Sequence, residues 1–144
     1  MEKIKFDSGV RAFDLGTGTA LRFNPGDPNL YVRFLEAGEK VSAVEKGLAA
    51  QAKDMAANGE TVVTLLKDAD KKMKAILRWV FGEENDFEKI LGGVNLLAVG
   101  NNGKRVVSNL FAALQPILLA GAEACAREQT QAAVARANDR RKRV

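Results

Sequence analysis

Three features of the sequence predict a mainly helical fold of the α+β class. Residues 27–81 repeat large apolar side chains every three or four positions in two consecutive stretches, and a third such stretch begins at Lys104. The first 24 residues instead alternate apolar and polar side chains around glycine-rich turns. The expected architecture is a small N-terminal antiparallel β-hairpin or meander packed on an antiparallel helical hairpin, with a long, Pro-kinked C-terminal helix. One domain, 1–144, is expected, divided into a β ribbon (1–24), a helical hairpin (27–81), a C-terminal helical region (86–138) and a basic tail (139–144).

In the ribbon, Ile4 and Phe6 alternate with lysines, Phe13 and Leu15 follow, and Leu21 and Phe23 flank Arg22. Ser8-Gly9 and Gly16-Thr17-Gly18-Thr19 separate these pieces and permit the positive φ that a tight reversal needs. A ribbon this small is unstable alone, so helices should cover one face. Asn24-Pro25-Gly26 stops the last strand, and Asp27-Pro28 supplies an N-cap carboxylate followed by proline at the first helical position.

The first helix should carry Leu30, Phe34, Ala37, Val41, Val44, Leu48 and Met55 on one stripe and end at Asn58-Gly59. The second should carry Val62, Leu66, Ala69, Met73, Ile76 and Val80, expose Lys67, Asp68, Asp70, Lys71, Lys72 and Lys74, and end at Gly82. Both stripes are narrow, which leaves part of them for another subunit or partner. After the polar break Glu83-Glu84-Asn85-Asp86, residues Phe87, Ile90 and Leu91 suggest a short helix before Gly92-Gly93. Val94–Val99 reads equally as strand or buried turn. The last helix carries Val107, Leu110, Phe111, Leu114, Ile117, Leu118 and Cys125, and Pro116 should free the carbonyl of Ala112 and bend it. Beyond Arg127 only Val134 is large and apolar, so that end should project or become ordered on a partner.

At 144 residues the chain can bury roughly two-thirds of its unfolded surface. The single cysteine, Cys125, lies among alanines and reads as a structural thiol of a reducing cytoplasm. No continuous apolar run approaching a membrane span is read, and the N-terminus lacks a secretion signal's apolar core. The net charge of +4 is concentrated in Arg140, Arg141, Lys142 and Arg143, which read either as a solvated terminus or as a contact for nucleic acid. The absence of histidine removes the usual general base near neutral pH and the commonest metal ligand, which argues against most hydrolase and zinc-site designs.

Several segments invite a chemical reading, and each has a plainer one. Phe13-Asp14-Leu15-Gly16-Thr17-Gly18-Thr19 looks like the first glycine motif of S-adenosylmethionine-dependent methyltransferases, but the next segment reads as a strand and no βα alternation follows. Asp68 and Asp70, with Glu60 upstream, suggest a cation site, yet helical geometry points them apart and favours a solvated face. Glu83, Glu84, Asp86 and Glu88 are better explained by helix-dipole complementation than by a metal. Phe81 and Phe87 read as core, while Trp79, off the Ile76–Val80 stripe, serves equally as core or partner anchor. No catalytic residue, cofactor or metal site is expected.

Two stretches resemble a family. Leu21-Arg22-Phe23-Asn24-Pro25-Gly26-Asp27-Pro28-Asn29-Leu30 after an N-terminal ribbon is similar to a segment of small proteins encoded among tail genes of phages and prophages of Gram-positive bacteria. Val80-Phe81-Gly82-Glu83, Gly92-Gly93-Val94-Asn95, Asn102-Gly103 and Leu114-Gln115-Pro116 resemble the second half of those proteins, the tail assembly chaperones. The resemblance implies a non-enzymatic assembly factor in the host bacterial cytoplasm that binds the hydrophobic tape-measure protein and recruits tail-tube subunits. The expected binding stripes lie on helices Asp27–Asn58, Glu60–Phe81 and Lys104–Arg136, with Leu30, Phe34, Val41, Trp79, Phe81, Phe87, Phe111, Leu114, Ile117 and Leu118 as contact residues. A structural virion or tail-completion protein that self-assembles through the same helices is the alternative, and homo-oligomers fit both. A regulator using the basic tail on nucleic acid is a third reading.

Overall fold

A computed structural model describes residues 1–54 and 59–142. Strands β1 (Arg11–Asp14) and β2 (Ala20–Phe23) form a two-stranded antiparallel sheet, followed by α1 (Pro28–Asp54), α2 (Gly59–Phe81), the single turn α3 (Phe87–Ile90) and α4 (Val106–Lys142). The small hairpin, the helical pair and the long last helix are as the sequence predicts. Register pairs Phe13 with Leu21 and Arg11 with Phe23, which puts Phe13, Leu21 and Phe23 on one face. The glycine-rich segment after Asp14 is the hairpin loop, an antiparallel connection rather than the strand-to-helix turn of a cofactor motif.

Helix α1 starts as its sequence signal requires. The Asp27 carboxylate accepts the Asn29 N–H at 2.9 Å, and its carbonyl accepts the Tyr31 N–H at 3.2 Å. Its stripe Leu30, Phe34, Ala37 and Val41 is buried against Ala69, Met73, Leu77 and Val80 of α2, and each of these side chains other than the two alanines contributes about 1.5–3 kcal/mol through removal from water. Leu77, which the predicted stripe skipped, is among the most buried residues, and Ile76 is only half-buried. Gly82 ends α2 with φ 112° and closes onto the Arg78 carbonyl at 2.9 Å. Gly59 is the first residue of α2 rather than the stop of α1. The expectations for Met55 and Asn58 lie outside the described residues, as do Arg143, Val144 and the side chain of Glu60.

Aromatic contacts tie the sheet to the helices. Phe13 stacks on Phe23 at 4.5 Å between ring centroids, Phe23 meets Phe81 edge-on at 5.0 Å, and Phe81 meets Phe87 at 5.8 Å. Phe34 stacks on Phe111 at 5.0 Å and joins α1 to α4. The hairpin loop is held by a hydrogen bond from Thr17 Oγ1 to the Ile90 carbonyl at 2.7 Å. Val94–Val99 forms turns, with Leu96 and Leu97 buried and one bridge between Val99 and Arg105. Those turns supply carbonyls for the first N–H groups of α4, Val106 to Ala98 at 2.8 Å and Val107 to Leu96 at 2.9 Å.

Helix α4 runs unbroken through Pro116 and buries Val107, Leu110, Leu114 and Leu118. An 18-residue window within it is long and apolar enough to cross a membrane by length and composition, contrary to the expectation that no stretch comes close. Of that window, 22% is buried in the chain. Gly121 then passes so near the loop before α1 that a Cβ there would lie 1.9 Å from the Pro25 carbonyl oxygen. From Ala126 to Lys142 all side chains are exposed except half-buried Ala132. The first ten residues are corrected: Lys3–Phe6 is an exposed arm outside the sheet, not a strand of the ribbon.

Candidate partner-binding surface

Three local networks shape the surface. The first centres on Asn85, 1% exposed within the segment read as a polar break. Its Oδ1 accepts the Arg22 N–H at 2.9 Å, while its Nδ2 donates to the carbonyls of Arg22 and Phe81, each at 2.9 Å. One side chain therefore closes the outer edge of β2 and satisfies a carbonyl in the last turn of α2. Next to it Asp86 caps α3 by accepting the Glu88 N–H at 3.0 Å, the helix-terminal role its position suggests.

The second network overturns the solvated reading of α2 at Asp70 and Lys74, while Lys67, Asp68, Lys71 and Lys72 are exposed as expected. Asp70 and Lys74 are both buried, with Lys74 Nζ 2.8 Å from Asp70 Oδ2 and also bonded to both carboxylate oxygens of Glu88. Asp70 Oδ1 accepts the Leu96 N–H at 2.8 Å, which pins the 94–99 turns to α2. Burial penalises the Lys74 ammonium, but hydrogen bonds and Coulomb attraction from Asp70 and Glu88 outweigh it and hold the pKa above the ordinary 10.5. Around this triad lies an open groove of about 540 Å³ whose lining also includes Lys67, Lys71, Arg78 and Asp86. Among the described residues, no group of three or more His, Cys, Asp or Glu side chains is placed to hold a metal ion.

The third feature is an apolar groove of about 490 Å³ between β1 and α4, lined chiefly by Phe13, Leu15, Leu91, Leu110, Leu114 and Ile117. Of the ten residues expected to contact partners, Leu30, Phe34, Val41, Phe81, Phe87, Leu114 and Leu118 are buried within the chain. Phe111 is half-buried, while Trp79 is 42% and Ile117 38% exposed. The helical stripes thus close mainly on one another, and the narrowness that suggested a spare seam is made up by α4 and the sheet. Trp79 lies outside the core with Lys40 Nζ 3.6 Å from its ring centroid, and Val32 and Leu35 are exposed on the outward face of α1.

Sequence periodicity located Leu114 and Ile117 but missed Phe13, Leu15 and Leu91 as groove walls, because their meeting depends on how the hairpin lies over α4. The apolar alternation of Ile4 and Phe6 predicts a strand of the sheet, and the structure leaves it as a separate exposed surface element. No protein-family model, curated protein or solved structure matches this chain.

Proposed function

We propose that this chain is a protein-binding assembly factor, a tail assembly chaperone that holds the tape-measure protein and recruits tail-tube subunits. The observation that carries the reading is the end of α4: residues 126–142 leave the folded body as a helix with all but one side chain exposed. An alanine-rich helix without a core to bury keeps its shape by propensity and offers a surface for another helix. Trp79, Val32, Leu35 and Ile117 add apolar contact area on the body. The working surface is accordingly the outside of the helices, since their inner stripes are occupied.

Co-expression with the tape-measure protein tests the reading. The full chain should give a soluble complex, and a chain ending at Cys125 should not. Equal solubility of the tape-measure protein with and without this chain refutes it. The exposed N-terminal arm favours a second reading, a structural tail component that self-assembles. Mass spectrometry of purified particles separates the two, because a chaperone is absent from the finished particle and a structural component is present.

A further inference from the structure

The arm before β1 and the groove beside β1 are complementary. Ile4 is 88% and Phe6 80% exposed, and they alternate with Lys3 and Lys5, so an extended backbone would give the arm one apolar and one cationic face. Its root is held in place: Gly9, at φ 75°, donates to Asp7 Oδ1 at 2.9 Å, and Asn24 Nδ2 donates to the Ser8 carbonyl at 3.0 Å. Residues beyond that root leave their apolar side chains in solvent.

The acceptor is the outer edge of β1. Arg22 directs its N–H and C=O to Asn85, away from β1, so Arg22 and Ala12 form a non-hydrogen-bonded pair of the antiparallel ladder. It follows that the N–H and C=O of Ala12 point outward from β1, where they can receive another strand. A strand added there places alternate side chains on the face of Phe13 and Leu15, above Leu110, Leu114 and Ile117 of α4, a face shared at the start of β1 by Arg11, whose guanidinium carbon lies 5.4 Å from the Phe13 ring centroid. Lys3 and Lys5 would then share the opposite face with Asp14, the only charged residue lining that groove among the described residues. Arg22 also occupies that face but is one strand further off, about 10 Å from an added strand.

We propose that residues Lys3–Phe6 of one copy add as a third strand to β1 of a second copy and seat Ile4 and Phe6 in its β1–α4 groove. The chain leaves its own arm unpaired and its own groove open, and each carries the chemistry the other lacks. Strand addition supplies affinity through main-chain hydrogen bonds, and the groove supplies specificity through the apolar pair. Reciprocal exchange gives a closed dimer, and head-to-tail exchange gives a ring or filament. The inference deepens the self-assembling reading and does not depend on the chaperone reading, since its test contains only this chain.

Light scattering coupled to gel filtration on the full chain should give a mass of at least twice 15.5 kDa. Ile4→Asp/Phe6→Asp, which alters only exposed arm residues, and Ile117→Asp, in the groove, should each run as a folded monomer with unchanged circular dichroism. Mixing the two variants leaves one intact arm and one intact groove and should restore a species of twice 15.5 kDa. A wild-type monomer at all concentrations overturns the proposal. So does an oligomer that persists in the arm variant, or a mixture of folded variants that stays monomeric.

Discussion

Replacing Asn85 by alanine should remove more stability than any comparable change of a polar residue in this chain. The substitution deletes three hydrogen bonds, all at 2.9 Å, made by a side chain with almost no solvent contact. At about 1 kcal/mol each, they sum to roughly 3 kcal/mol, and the Phe81 carbonyl is left inside the molecule without that partner. Unfolding entropy of about 2.1 cal/mol/K per residue over 144 residues is about 0.3 kcal/mol/K, so Tm should fall by about 10 °C. Circular dichroism melts, checked by urea titration, measure this directly. Asn85→Asp sharpens the test because the carboxylate keeps the acceptor for the Arg22 N–H but turns both donations into repulsion of carbonyls. That environment raises the folded-state pKa of the introduced carboxyl above its unfolded value of about 3.9. The folded state then holds the extra proton, so this variant's stability falls as pH rises from about 4 through the raised pKa. A Tm loss below about 3 °C for the alanine variant, under ~1 kcal/mol by the same conversion, would refute the assignment of Asn85 as the clasp between β2 and α2.

Gly121→Ala should lower stability by about 2 kcal/mol because its Cβ would overlap the Pro25 carbonyl, whereas Gly47→Ala, in open space on α1, should raise it by about 0.5–1 kcal/mol. Thermal melts of the pair separate steric clash from helix propensity, and equal effects of the same sign at both sites would contradict the close approach. Lys74→Met should cost about 1–3 kcal/mol, discounted because Glu88 is half exposed. Since the folded pKa of Lys74 lies above 10.5, its contribution is complete below that pH and lost as pH rises through the higher value. The gap between wild type and variant in urea titrations should therefore be constant from neutral pH to about 10 and narrow above. Lys40→Ala should cost no more than about 1 kcal/mol while changing Trp79 fluorescence, because the cation lies over an exposed ring. Trp79→Ala should leave the melt nearly unchanged and, on the proposed chaperone role, weaken capture of the tape-measure protein; unaltered capture would remove Trp79 from the proposed binding surface.

Local signals carried much of the fold into view. Asp27-Pro28 announces the start of α1 because an N-cap carboxylate and a proline at the first helical position act within one turn. Gly82 announces the end of α2 because its conformation is set by its missing side chain. The candidate surface was less legible. Ile4 and Phe6 have the same alternation as Leu21 and Phe23, yet only the latter pair is covered by helices. Asp70 and Lys74 have the same residue types and spacing as the exposed pair Asp68 and Lys72, yet Glu88 and the turn at Leu96 close over them.

The sequence by itself determined the start of α1, the end of α2, the hairpin turn and most of the apolar stripes, since each depends on atoms a few positions apart. Tertiary structure alone decided that α4 would complete the core, that Asn85 would close one sheet edge, and that the other edge would face an open groove. Those outcomes join residues as far apart as Arg22 and Asn85 or Pro25 and Gly121. Periodicity shows that a helix has an apolar face, but only the packing of all the elements shows what covers it.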